Sequence, residues 1–187
     1  MKNTSIDLKK LHSDDPKVKY GFSKELLQIV SEAPKVLYPH VQEWTDLLQQ
    51  DNQILKWTAI DIIGHLSSID TENKIDPVIS QLIEMLHGGH LITISHAISS
   101  LAIIAGNKPR YGNKIWSELF DIRSNQFKSD TCRDIATGKV LDALKVFPLD
   151  EIDPTELDNF VGVAEKCEWN ATRQKANIIR RKLQKSN

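Results

Sequence analysis

The string His87-Gly-Gly-His90 is the local pattern that most suggests metal chemistry. Glu84 lies one helical turn before His87, and two imidazoles with one carboxylate form the ligand set of many zinc sites. The two glycines support a simpler interpretation, in which Gly88 and Gly89 end a helix through a left-handed cap beside two solvated histidines. A histidine in the last helical turn also suits the helix dipole. We therefore predict a helix end at this string and no metal site.

The two cysteines, Cys132 and Cys167, have no histidine near them in the sequence, so neither belongs to a recognisable nucleophile pair. Both are expected on apolar helical stripes, as buried structural thiols. The phosphate-binding strings Gly-x-x-x-x-Gly-Lys and Gly-x-Gly-x-x-Gly do not occur. These observations predict a protein that is not an enzyme, with no catalytic residue and no cofactor.

The C-terminal segment is strongly basic and has no acidic residue after Glu168. Its bases are Arg173, Lys175, Arg180, Arg181, Lys182 and Lys185. A basic helix can bind phosphate backbones or acidic partners. An acidic stretch precedes it, formed by Asp150, Glu151, Asp153, Glu156 and Asp158. We expect antiparallel packing to bring the two segments together, so that each neutralises the other.

The composition excludes several classes of protein. The chain has 187 residues, of which 40% are hydrophobic and 26% charged, with a formal net charge of −1. This hydrophobic fraction argues against disorder, and the net charge lacks the surplus that nucleic-acid binders usually carry. No apolar run approaches the length of about 18 residues that a membrane span needs. The first ten residues lack the apolar core of a signal peptide, and two cysteines make no disulfide framework. The composition predicts a single cytoplasmic domain over residues 1–187, without a membrane segment.

Apolar residues recur at helical spacing along the whole chain, and no sustained alternation of period two indicates a strand. The chain is therefore predicted to be all-α, with roughly nine or ten helices. Asp76 and Asp153 each precede a proline and are predicted to cap helices. The helical stripes predict a core that comprises Ile60, Ile63, Leu66, Ile98, Leu101 and Ile104 on one set of helices, and Trp44, Leu47, Leu82, Met85, Leu119 and Ile122 on a second set.

The chain contains an internal repeat. A shift of 38 residues places Ile54 on Ile92 and Ala59 on Ala97. A second helical stripe repeats in step, since the segment from Val41 to Leu48 aligns by the same shift with residues 79–86. A helix pair of this kind cannot bury both stripes alone, so each pair must stack on its neighbours.

The run from Ile54 to Leu66 resembles the first helix of a HEAT repeat, with a base at Lys56, a small residue at Ala59 and an aliphatic-Gly-x-Leu ending. The unit at 89–125 has Ile94 where the base belongs, which departs from the pattern of that family. The resemblance implies a right-handed α-solenoid of about four HEAT-like helix pairs plus a C-terminal helix. The units would be approximately 13–49, 50–88, 89–125, 126–168 and a terminal helix at 170–186. The alternative is an ordinary helical bundle.

Aligned positions of the second helices carry carboxylates without lysine or arginine beside them. We call these residues the acidic strip: Glu43, Asp46, Glu84, Glu118 and Asp121. In HEAT-like solenoids the second helices line the concave surface, where partners usually bind. The resemblance therefore implies a concave negative surface suited to a basic peptide and unfavourable to nucleic acid. The competing interpretation is an ordinary solvated helix face.

Two functions follow from these observations. The first is a non-catalytic scaffold or adaptor that binds a protein or peptide with a basic segment through the acidic strip. The alternative is a nucleic-acid-binding module that uses the basic C-terminal helix, as HEAT-like DNA glycosylases suggest by analogy. The sequence leaves the oligomeric state open.

Overall fold

The computed structural model describes residues 6–186, and this part of the chain holds nine α-helices and no β-strand. The helices are α1 (Pro16–Glu32), α2 (Val41–Leu47), α3 (Gln53–Leu66), α4 (Asp76–Glu84), α5 (Leu91–Asn107), α6 (Gly112–Phe120), α7 (Asp130–Leu144), α8 (Pro154–Ala164) and α9 (Asn170–Ser186). Short 3₁₀ turns occupy many of the connections between them. The all-α prediction is confirmed.

Contacts between the helices follow the order of the chain. α1 packs against α3, α3 against α5, α5 against α7 and α7 against α9, so the odd-numbered helices form one continuous row. The even-numbered helices lie against this row, with α2 on α3, α4 and α6 on α5, and α8 on α7 and α9. Each of the four predicted units contains one odd-numbered and one even-numbered helix. The boundaries of the units and the single domain stay predictions.

The core lies between the row of odd-numbered helices and the even-numbered helices. The six residues predicted from the first stripe are all fully buried: Ile60, Ile63, Leu66, Ile98, Leu101 and Ile104. Of the second set, Trp44, Leu47, Leu82, Leu119 and Ile122 are also buried. Met85 is only half-buried, which corrects its assignment to the core. The buried indole N–H of Trp44 donates a hydrogen bond to the carbonyl of Leu37 at 3.1 Å.

One of the two predicted helix caps is wrong. Asp153 caps α8 by accepting from the backbone N–H of Thr155 and of Glu156, both at 2.9 Å. Asp76, in contrast, is the first residue of α4, and its side chain makes no capping bond. Its carboxylate instead accepts a hydrogen bond from the Tyr111 hydroxyl at 2.9 Å. The Asp76 carboxylate therefore binds Tyr111, 35 residues away in the sequence, and does not cap its own helix.

A close approach between α3 and α5 depends on Gly64. A Cβ at this position would lie 2.7 Å from Ser100 Oγ and 2.9 Å from Ser100 Cα. At the same contact, Ser100 Oγ donates to the carbonyl of Ile60 at 2.7 Å. Glycine is required because only it lets the hydroxyl reach a main-chain carbonyl inside the neighbouring helix.

The same arrangement recurs between α7 and α9, two units further along the chain. A Cβ at Gly138 would lie 2.7 Å from Thr172 Oγ1. Thr172 Oγ1 donates to the carbonyl of Asp134 at 2.7 Å, and that carbonyl belongs to the residue four positions before the glycine. The two junctions therefore share one contact geometry, with a helical glycine facing a hydroxyl on the next odd-numbered helix.

A buried charge cluster joins the α3–α4 connection to the α5–α6 connection. Lys108 Nζ lies 2.8 Å from Asp70 Oδ2 and 2.8 Å from Asp76 Oδ1, and the Lys108 side chain is only 6% exposed. The Tyr38 hydroxyl donates to Asp70 Oδ1 at 2.6 Å. Burial by itself would raise the pKa of Asp70, but hydrogen bonds from Lys108 and Tyr38 outweigh it and hold this pKa below 3.8. The cluster is thus ionised at neutral pH and links elements that are 38 residues apart.

Candidate partner-binding surface on the even-numbered helices

The acidic strip is carried by three of the even-numbered helices and the turn that follows one of them. Glu43 and Asp46 lie on α2, Glu84 on α4, Glu118 on α6 and Asp121 in the 3₁₀ turn after α6. Four of the five are exposed, and Glu118 is half-buried with 35% of its side chain accessible. The strip as a shared binding surface remains a prediction, but each carboxylate can be reached by solvent.

Lysine and arginine do not neutralise the acidic strip: in residues 6–186 none of its five carboxylates forms an ion pair with either residue type. The side-chain partners that they do have are neutral groups or histidines. Asp46 accepts from Gln42 Nε2 at 2.8 Å, and Asp121 accepts from Ser124 Oγ at 2.5 Å. These bonds orient the carboxylates without compensating their charge, so negative potential remains at the strip.

The sequence pattern did not count two bases that lie on, or directly after, the helices of the strip. His87 Nε2 lies 4.0 Å from Glu118 Oε2, so a protonated His87 would offset part of the negative charge. The other ring nitrogen faces Asn125 Oδ1, and Asn125 in turn donates to the carbonyl of Leu86 at 3.1 Å. Lys114 is exposed on the first turn of α6. The sequence pattern overlooked it because α6 begins at Gly112, earlier than the stretch that the pattern showed to be free of lysine and arginine.

The two histidines of the His-Gly-Gly-His string point to different neighbours. His87 faces Asn125, whereas the His90 ring stacks on Trp57 with ring centroids 6.0 Å apart. Gly89 has φ of 71°, so the predicted left-handed helix end is present at this residue. Across the described residues, no three His, Cys, Asp or Glu side chains are placed to hold a metal ion.

The two cysteines differ in their burial. Cys167 is buried between α8 and α9, not on a helical stripe as predicted, and its Sγ accepts from Arg123 Nη1 at 3.1 Å. Burial raises the pKa of the Cys167 thiol to about 12, and a hydrogen bond to Asp134 adds to this effect. The thiol therefore stays protonated at neutral pH, which suppresses its reactivity. Cys132 is only half-buried, which corrects the prediction that both thiols are buried.

Much of the basic charge of α9 is already compensated within the chain. Arg180 pairs with Asp158 and Glu165, and Lys175 Nζ lies 2.6 Å from Asp142 Oδ2. Arg173 Nη1 donates to the carbonyls that end the α8–α9 connection. The expected neutralisation is present at Asp158, but the other acids that pair with α9, Asp142 and Glu165, lie outside the predicted acidic stretch. The exposed bases of α9 include Arg181 and Lys185.

Comparisons of the chain with protein-family models, with curated proteins and with solved structures found no match. The likeness to HEAT repeats therefore rests on the residues of this chain alone. Within the described part of the chain, no helix has both the length and the apolar character that a membrane crossing requires.

Proposed function

We propose that the protein is a non-catalytic scaffold with a HEAT-like, right-handed solenoid arrangement, and that it binds a basic segment of another protein. The ordered contacts of the odd-numbered helices support the solenoid, because each helix packs on the next odd-numbered one in chain order. The two matching glycine–hydroxyl junctions at Gly64 and Gly138 support a repeated unit over an irregular bundle.

The observation that carries the proposed function is the acidic strip without lysine or arginine partners. The chain as a whole is almost neutral, with a net charge of −1, so the negative charge of the strip is a local feature. Exposed carboxylates that lack counter-charges raise the local concentration of cationic groups and speed their encounter with the surface. A lysine- and arginine-rich segment is the partner that this surface favours.

The alternative, a nucleic-acid-binding module built on α9, has less support. Three of the bases of this helix, Arg173, Lys175 and Arg180, are already engaged by carbonyls or carboxylates of the chain. The bases that remain exposed include Arg181 and Lys185, and phosphate binding usually needs several such contacts. A cytoplasmic location completes the proposal, since Cys132 and Cys167 are both free thiols.

Fluorescence anisotropy with three labelled probes separates the two functions. The probes are a short lysine- and arginine-rich peptide, a glutamate-rich peptide of the same length and a DNA duplex. We expect only the basic peptide to bind, with an affinity that falls as salt rises from about 50 to 200 mM. Binding of the duplex without binding of the basic peptide would overturn the scaffold proposal in favour of α9.

A further inference from the structure

A surface groove lies between α6 and α8, and Asp121 of the acidic strip is one of its lining residues. It has a volume of about 390 Å³, and its apolar lining consists of Phe120, Phe160 and Val163. The two phenyl rings stack with centroids 4.8 Å apart and form the floor. Val163 is 49% exposed, so apolar surface in this groove is in contact with solvent. We call this feature the aromatic groove.

The rim of the aromatic groove is acidic. Asp121, the last member of the acidic strip, contributes one carboxylate, and Glu156 on α8 contributes another. Neither forms an ion pair with a lysine or arginine among residues 6–186. Arg123 also lines the groove, but its Nη1 lies 2.7 Å from Asp134 Oδ1, so its charge is compensated by a buried carboxylate. The groove therefore combines an apolar floor with uncompensated negative charge.

We propose that the aromatic groove receives one large apolar side chain of the bound segment, such as leucine or phenylalanine, flanked by lysines or arginines. The inference rests on the proposed function and specifies what the basic partner must contain. Cavities of about 150 Å³ hold a benzene ring, so a groove of 390 Å³ has room for such a side chain and its neighbouring backbone. The flanking bases meet Asp121 and Glu156, and continuity with the strip through Asp121 places both contacts on one bound segment.

Two matched peptides test this inference. One carries a leucine between pairs of arginines, and in the other a serine replaces the leucine. Because burial of one leucine side chain favours association, the leucine peptide should bind the wild-type protein about tenfold more tightly. The Val163→Asp variant should abolish this difference, since it places a charge in the apolar lining of the groove. Val163 is exposed enough for the fold to tolerate the change.

The direction in which Val163→Asp changes the affinity for the leucine peptide distinguishes the aromatic groove from attraction by charge alone. If charge alone governs binding, the extra carboxylate in Val163→Asp should strengthen the binding of both basic peptides. The aromatic groove instead predicts weaker binding of the leucine peptide. Val18→Asp is the control, because Val18 is 42% exposed on α1 and receives the same added charge away from the groove.

The outcomes separate this inference from the proposed function. Equal, salt-dependent binding of both peptides, with no loss in Val163→Asp, would overturn the aromatic groove and leave the basic-segment scaffold in place. Failure of both peptides to bind at low salt would overturn the scaffold and the groove together.

Discussion

A Lys108→Met variant should lose about 3 kcal/mol of unfolding free energy, at the lower end of the range for breaking a buried ion pair. Methionine preserves most of the length of the side chain but removes its charge. Asp70, whose side chain is 0% exposed, would then keep an ionised carboxylate without its cation. We expect the lower end of the range because Tyr38 and two backbone N–H groups still donate to Asp70.

The pH dependence of the Lys108→Met variant provides a second readout. In the wild type the pKa of Asp70 is lowered, so its stabilising contribution is present above the ordinary value of 3.8 and is lost as pH falls below it. In the variant, burial without the lysine raises that pKa, and protonation relieves the unpaired charge. The difference in stability between wild type and variant should therefore shrink as pH falls from neutrality towards 3.8.

Chemical denaturation of Lys108→Met beside Lys74→Met checks this prediction. Lys74 lies in the α3–α4 connection, which also holds Asp70, and it pairs with Glu72. Both side chains of this pair are well exposed, at 45% and 60%. Exposed pairs contribute little, so Lys74→Met should change the stability by less than about 1 kcal/mol. Equal effects of the two substitutions would contradict the buried cluster.

The second large effect is expected for Gly64→Ala, which should destabilise the fold by about 2–3 kcal/mol. The new methyl group would lie 2.7 Å from Ser100 Oγ and 2.9 Å from Ser100 Cα. Because one of these atoms is main chain, a rotamer change of Ser100 cannot relieve the clash, and α3 and α5 must move apart. The hydrogen bond from Ser100 to the carbonyl of Ile60 would be weakened by the same movement.

Gly21→Ala is the matched control for Gly64→Ala. Gly21 lies inside α1, and a Cβ there would meet no atom within 4 Å. Alanine is the better helix former, so this variant should be more stable than the wild type by about 0.5–1 kcal/mol. Thermal unfolding should thus shift in opposite directions for the two variants. A shift of Gly64→Ala to higher temperature would show that α3 and α5 do not approach closely at this point.

The helices and their buried stripes were predictable because helical spacing is local information. Ile60, Ile63 and Leu66 fall on one stripe in the sequence and are all fully buried in the structure. Met85 follows the same spacing but lies in a 3₁₀ turn after α4, where the period of the helix no longer holds. Ile122 also lies in a 3₁₀ turn and is fully buried, so a stripe that runs past the end of a helix predicts burial at some positions and not at others.

Long-range charge pairing was not predictable from the sequence. Asp76 has the spacing of a helix cap, yet its partners Lys108 and Tyr111 lie more than 30 residues away and engage its carboxylate. Asp70 and Lys108 carry no local signal of their buried pairing. Their separation of 38 residues equals the repeat period, and this spacing is the one feature that could have suggested the contact.

The candidate surface was predicted in part. Repeat alignment indicated the positions that face outward on the even-numbered helices, and four of the five strip residues are exposed. The start of α6 at Gly112 was not predicted, so Lys114 was overlooked. The aromatic groove was also missed, because Phe120 and Val163 belong to helices that meet only in the folded chain.

The central claim, that the acidic strip binds a basic segment, is tested most directly by a double variant, Glu84→Lys with Asp121→Lys. Both residues are exposed, so the unfolding free energy should change by only about 0.5 kcal/mol per site. The control is Glu25→Lys with Glu151→Lys. These are two exposed acids, one on α1 and one in the 3₁₀ turn before α8, and neither element carries a residue of the strip. The two variants have the same net charge.

The measurement is the association rate of the labelled lysine- and arginine-rich peptide at low and at moderate salt. We predict that the strip variant associates about tenfold more slowly at low salt and loses most of its salt dependence, because surface charges steer the encounter. The control variant should retain a rate close to that of the wild type. If the two variants bind the peptide at equal rates and with equal salt dependence, the acidic strip is not the binding surface.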